Sequence, residues 1–250
     1  MIAIVGSRKC TMYGWEQSMK FAKSLSENGI CVVSGMAMGI DKAAHIGAKD
    51  EKGKTIAVLG GGLNKIYPEE NKALFYEIIE SGGCVITEYA PNEEVKSTNF
   101  RRRNRIISGL ALGTLVVQAT FLSGTLITAR HTIEQKKPLF CIPSNLDEEK
   151  GVGTNDLIKK GAILTTSVND IFKELNINKS VKETYEGKEK INIDKKYKNV
   201  YNVLENIPIT VDEISRRSKT DIAETSNILT MLEIQGVIEY YVGNRYALRR

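Results

Sequence analysis

The chain has 250 residues, 42% of them hydrophobic and 26% charged, with a formal net charge of +5. That suits one large α/β domain, or a medium domain with a small one, with enough chain to bury a core that needs no covalent staples. No segment approaches the ~20 apolar residues of a membrane span, and the apolar start Met1–Gly6 is too short for a secretory leader. Cys10, Cys31, Cys84 and Cys141 are too widely spaced for a CxxC metal or redox pair. Three of them sit in apolar strand-like runs, which reads as buried thiols in a reducing cytosol and a cytoplasmic location. The mild positive charge permits binding to a polyanion without identifying one.

Short Val- and Ile-rich runs alternate with helix-like stretches, the pattern of a parallel sheet with crossover helices. Strands are predicted at Ile2–Val5, Ile30–Val33, Thr55–Leu59, Cys84–Thr87, Leu115–Gln118, Leu139–Ile142 and Ala162–Leu164. Helices are predicted at Trp15–Ser26, Lys42–Lys49, Asn71–Ser81, Asn104–Leu112, Leu126–Glu134, Asp156–Lys160 and Val168–Leu175. Together they specify an α/β fold, a Rossmann-like, doubly wound, mostly parallel sheet over residues 1–175.

From Asn176 to Lys196 the composition turns to Lys, Glu, Asn and Ser, as in a solvated linker. Residues 197–250 then read as a helix (Tyr197–Asn206), an Ile207-Pro208-Ile209 bridge, two helices (Val211–Arg217 and Ile222–Gln235) and two strands (Val237–Val242 and Arg245–Leu248). Thr210 with Glu213, and Asp221 with Glu224, have the spacing that caps helix N-termini, and Gly236 is placed to stop the last helix. Three helices and a terminal hairpin form the order of a small winged-helix domain.

Ligands of an open parallel sheet collect beyond the carboxyl ends of its strands, at helix N-termini and backbone N–H groups. Four glycine-bearing turns fall there: Gly6-Ser7-Arg8, Ser34 to Asp41, Gly60-Gly61-Gly62 and Ser123-Gly124-Thr125. Singly, each is equally a tight βα turn; together they describe a phosphate-binding rim. The first turn lacks G-x-G-x-x-G, and no P-loop occurs, so neither a dinucleotide site nor a nucleoside triphosphatase loop is present in its usual form. Arg101-Arg102-Arg103-Asn104-Arg105 is the sharpest local feature. At a predicted helix start these cations oppose the helix dipole, so they point to a polyanion rather than to local stability. A solvated charge run is the plainer alternative. Phe100, just before them, offers a face for a base or a place in the core.

Ala3-Ile4-Val5-Gly6-Ser7-Arg8, Ser34-Gly35-Met36-Ala37-Met38-Gly39-Ile40-Asp41, Gly60-Gly61-Gly62 with Tyr67-Pro68, Thr87-Glu88-Tyr89, Arg103-Asn104-Arg105-Ile106-Ile107-Ser108-Gly109 and Ser123-Gly124-Thr125 follow one another in an order that resembles the motif series of the DNA-processing protein A (DprA/Smf) family. The resemblance implies a non-enzymatic protein without a cofactor that coats incoming single-stranded DNA in natural transformation, helps load the RecA recombinase, and forms a homodimer. Carried over by position, Gly6, Ser7, Ser34, Gly35, Gly39, Ser123 and Gly124, with Thr125 beside them, would meet backbone phosphates. Arg8 and Arg103-Asn104-Arg105 would supply charge and register, while Arg101, Arg102 and the Phe100 face join the candidate site from the reading of the residues alone. Three positions depart from the family pattern: Met38 replaces a usual arginine, Arg101 a proline, and Gln118 a glutamate.

His45 and His131 are the only histidines, too few for a histidine-based metal site. Asp41 and Glu88 form a possible acid pair, but Asp41 also falls where a helix cap belongs. The competing function is a small-nucleotide enzyme or sensor like the phosphoribohydrolases, whose G-G-x-G-T-x-x-E motif would need a glutamate at Thr128. A transcription regulator reading duplex DNA with its winged helix is a third class, although Asp221, Glu224 and Glu233 make Ile222–Gln235 an acidic recognition helix.

Overall fold

The computed structural model describes residues 1–121, 123–179 and 194–248. The chain divides into two compact units, Met1–Glu183 and Thr184–Arg250. The central part of the predicted linker, residues 180–193, lies outside the described residues.

In the first unit seven parallel strands, β1 (Ile2–Val5), β2 (Val32–Ser34), β3 (Thr55–Val58), β4 (Cys84–Ile86), β5 (Thr114–Val116), β6 (Leu139–Cys141) and β7 (Ile163–Leu164), run in the order β4-β3-β2-β1-β5-β6-β7. Ala3 lies opposite Val33 on one side and Thr114 on the other. The chain therefore winds outward from β1 in both directions, and the topological switch falls between β1 and β5. Alternation along the strands separates two cores. Ile2, Ile4, Val32, Leu115 and Phe140 pack on α1 (Met12–Glu27), α2 (Ile40–Ala48) and α7 (Val168–Glu174). Ala3, Val5, Val33, Val58 and Val116 pack on α4 (Ser97–Leu110), α5 (Thr125–Glu134) and α6 (Val152–Lys159). Helix α3 (Lys72–Glu80) covers Ala57, Leu59 and Val85 near the β4 edge.

That edge corrects the expectation for the cysteines. Cys84 opens the edge strand and is exposed, Cys10 and Cys31 are half-buried, and Cys141, in the interior strand β6, is the buried one. Burial pushes the Cys141 thiol up to about 12.

Helix α4 begins at Ser97, well before the predicted Asn104, with Lys96 at its N-cap and no side-chain cap. The arginines thus sit in its second and third turns, outside the reach of the N-terminal dipole, and the dipole argument for them lapses.

His45 is fully buried on α2. Thr55 donates its hydroxyl hydrogen to the Val32 carbonyl at 2.8 Å, so at 2.8 Å from His45 Nδ1 it accepts a hydrogen bond from the ring. Nε2 is buried without a partner among the described residues. Burial, and secondarily the Arg103 charge, hold the imidazole neutral down to about 3. The unfolded chain takes up its proton near 6.5, so the contribution of this group to stability is complete above that value and is lost as pH falls toward about 3. Urea unfolding is expected to show stability falling by up to about 1.4 kcal/mol per pH unit in that window from this group. A His45→Gln chain should lack that component; an unchanged profile in the variant would refute the assignment.

In the second unit, a 3-10 turn (Lys195–Tyr197) leads into α8 (Lys198–Tyr201), followed by β8 (Ile209–Thr210), α9 (Val211–Ser218), α10 (Ile222–Ile234), β9 (Ile238–Tyr241) and β10 (Arg245–Leu248). The end of the predicted bridge, Ile209, enters a third strand with Thr210: β8 pairs antiparallel with β10, giving the sheet β8-β10-β9 of a winged helix. Thr210 Oγ1 accepts from Glu213 N, Asp221 from Ala223 N, and Gly236 follows α10 with a φ of 70°. Val200, Ile214, Leu229 and Leu232 are fully buried in its core. Arg216 and Arg217 both pair with Glu213, and Arg217 also reaches Glu205 at 2.9 Å. Among the described residues no helix is long and apolar enough to cross a membrane.

Candidate nucleic-acid interface

A cleft of about 880 Å³ opens at the β1/β5 switch of the first unit. The turn Gly6-Ser7-Arg8 after β1 forms one wall, and Thr120 with Ser123-Gly124-Thr125 at the start of α5 forms another. Helix α4 supplies Ser97, Phe100, Arg101 and Asn104, which recur every three or four residues and so share one face. That periodicity splits the arginine block. Arg101 is exposed on the cleft. Arg102 is exposed but does not line it. Arg105 is turned away and paired with Glu88, which disposes of Glu88 as one half of an acid pair facing the cleft.

Arg103 lies beneath the cleft floor, 3% exposed. Its Nη1 donates to the Gly35 carbonyl at 2.7 Å and to the Val58 carbonyl, and its Nε donates to Asn104 Oδ1 at 3.2 Å. Facing it is Asp41, 7% exposed. Asp41 does not cap its own helix, whose N-cap is Gly39. Its Oδ2 instead accepts from Gly35 N at 3.2 Å and Ala37 N at 3.4 Å, fastening the turn before α2. Burial pushes the Asp41 carboxyl up, with the Arg103 charge and these amides working against it; burial likewise lowers Arg103, to about 10. Each charge works against the cost of burying the other, without a direct ion pair between them. A Cβ on Gly35 would come within 2.7 Å of both the guanidinium and the carboxylate, so only glycine leaves room for the pair. At Gly39 φ is 76° and a Cβ would lie 2.4 Å from the Ser7 carbonyl, because this turn and the first press together.

Several polar groups of the expected rim are committed within the protein. Ser34 is fully buried and donates to the Ile4 carbonyl at 2.6 Å. Ser7 N donates to Gln118 O, Ile40 N to Ser7 O, and Thr125 N to Ser123 Oγ. The triple-glycine turn is filled by protein: Cβ atoms on Gly60, Gly61 and Gly62 would meet Phe100, Val95 and the Ala90 and Pro91 carbonyls. Gly124 is the opposite case, exposed with none of the described residues within 4 Å of a Cβ.

Charge in the cleft comes from side chains. Arg8, Lys9 and Arg101, all exposed, and the half-buried Lys150 line it; the carboxylates there are Asp41 and Glu149. Arg8 also stacks its guanidinium 5.1 Å from the Phe100 ring centre. Sequence reasoning passed over Lys9, Tyr67 and Lys150. Lys9 could have been found as the neighbour of Arg8 in the first βα turn; no local signal marks Lys150.

Two of the departures from the family pattern have a place here. Gln118 is fully buried; its Nε2 donates to Thr11 Oγ1 at 2.8 Å and its Oε1 accepts from Thr11 N at 3.0 Å, tying β5 to the N-cap of α1. Arg101 adds a cation to the cleft, whereas Met38, 36% exposed, adds none. Thr128, where a phosphoribohydrolase motif would carry its glutamate, is buried at 1% exposure.

The fold and cleft define a doubly wound α/β protein with a cation-lined switch point, carried in one chain with a winged helix. Comparison with known proteins makes that class specific. Residues 1–176 match the family described as DNA recombination-mediator protein A, and residues 189–244 match the DprA winged helix domain. The chain belongs to the DNA-processing protein A family. It is similar to protein Smf of Escherichia coli, 34% identical over 254 residues that cover 100% of this chain and 68% of that protein. It is also similar to DNA processing protein DprA of Streptococcus pneumoniae, 42% identical over 173 residues, covering 69% and 61% of the two chains. The X-ray structure of the Streptococcus pneumoniae protein superposes with a TM-score of 0.64 at 41% identity, over 69% of this chain and 60% of that one. DNA processing protein A from Helicobacter pylori, whose structure addresses its single-stranded DNA binding mode, matches with a TM-score of 0.64 at 32% identity, over 70% and 79%.

Proposed function

We propose that this chain binds single-stranded DNA, without cutting it, along the switch-point cleft. One observation carries the reading: Arg8, Lys9, Arg101 and Lys150 surround an open cleft in which Glu149 is the one carboxylate not set against a buried arginine. Such a groove holds a run of phosphates through side-chain cations, and its sequence-independent grip suits single strands. The committed rim amides move the expected phosphate contacts from backbone to side chains. Ser123 and Gly124 at the start of α5 remain beside the path, while Ser34, Gly35 and Arg103 support the rim from below. The binding mode of the Helicobacter pylori relative supports the same ligand. As in the reading of the family motifs, the bound strand is passed to the RecA recombinase by a homodimer of a cytoplasmic protein that is not an enzyme.

Binding of a fluorescent oligo-thymidylate at low and at moderate salt tests this. Four cation–phosphate contacts on a single strand predict a log–log salt slope of about −3. No binding at low salt would defeat the proposal.

A further inference from the structure

Phe100 is the aromatic side chain that the sequence singles out in the arginine-rich region, but its ring is already engaged. The Arg8 guanidinium carbon lies 5.1 Å from its centre and that of Arg103 5.8 Å. A Cβ on Gly60 would sit 2.6 Å from the ring, so the β3 turn is packed against it as well. A base stacking on Phe100 would have to displace one of these groups. Tyr67 is placed differently. Its ring centre lies 5.6 Å from that of Phe100 at an interplanar angle of 43°, it lines the same cleft, and it is 51% exposed.

We propose that Tyr67 is the base-stacking platform of the cleft, and that Phe100 is a positioning residue that seats Tyr67 and Arg8 on either part of its ring. This rests on the single-stranded DNA reading and adds to it a contact with a base. An exposed ring beside a row of cations offers its face to any base, because every base has a π-face, while the cations hold the phosphates. The tilt of Tyr67 against Phe100 gives it a fixed orientation without covering it. Tyr67 therefore supplies affinity that depends on the presence of bases and not on their sequence.

The full chain is titrated with an oligo-thymidylate and with an abasic strand of the same length, which keeps the phosphates and lacks the bases. Tyr67→Ala is expected to weaken thymidylate binding about 5-fold or more and to leave abasic-strand binding unchanged. Tyr67→Phe should keep wild-type affinity for both strands, since the ring is what acts. Tyr67→Trp should bind as the wild type does, with emission quenched by the thymidylate strand and not by the abasic one. Equal losses of Tyr67→Ala on both strands, or none on thymidylate, would overturn the platform while the phosphate reading stands. A wild-type chain that binds neither strand at low salt would overturn both. Unchanged melting temperatures exclude misfolding as the source of any loss.

Discussion

Arg103→Met is expected to destabilise the first unit by about 2–5 kcal/mol, because it leaves buried polar groups without their partner and the buried Asp41 carboxyl without the opposing Arg103 charge. That is a large part of the stability of an ordinary domain. The guanidinium also satisfies the Gly35 and Val58 carbonyls, which the variant leaves without that donor. Arg103→Lys should not rescue, since a single ammonium cannot span the positions reached by the planar fork. Pairing Arg103→Met with Asp41→Asn should recover part of the loss, because removing both charges is milder than removing one. Urea denaturation measures all three chains. A loss under about 1 kcal/mol for Arg103→Met would mean that the pair does not hold the floor of the cleft.

Gly124→Asp is the complementary experiment, with its large effect on binding. None of the described residues lies within 4 Å of a Cβ at this position, so the substitution has room. Away from packing its cost in stability should stay within about 0.5 kcal/mol. The new carboxylate stands in the cleft at the start of α5, where, on the proposed reading, it repels the strand and offsets one of the four cations. Affinity for oligo-thymidylate at low salt should fall on the order of tenfold or more. Gly124→Ala serves as the control and should bind normally. Equal binding by the aspartate and alanine variants would place the strand elsewhere.

The contrast between Arg103 and Gly124 shows where the sequence was readable. The seven strands of the first unit could be located because each is a short apolar run, those between the two edge strands largely buried, and the doubly wound architecture follows from their alternation with helices. Helix α4 was harder. Ser97 to Arg102 carries little apolar periodicity and Lys96 gives no side-chain cap, so its first turns read as loop. With that start misplaced, four arginines close in sequence looked like one cluster; the running helix distributes them among cleft, floor and outer surface. The glycine turns were likewise seen as a set, yet what fills each one is a tertiary matter. The Ala90–Val95 segment occupies the third turn and Asp41 fastens the second, leaving Gly124 open. Buried polar roles such as Gln118 on Thr11 and Ser34 on Ile4 depend on partners remote in sequence or across the sheet. Tyr67 reaches the cleft from a loop and Lys150 from the 3-10 turn Glu149–Gly151, with no local mark of that placement.

The most direct test of the central claim is the salt dependence of oligo-thymidylate binding in the wild type and in an Arg8→Ala, Arg101→Ala double variant. If these side chains grip phosphates, the double variant should flatten the log–log slope by about 1.4, from about −3 to about −1.6, with its melting temperature unchanged. A double variant that keeps the wild-type slope, with the same affinity, would contradict the account.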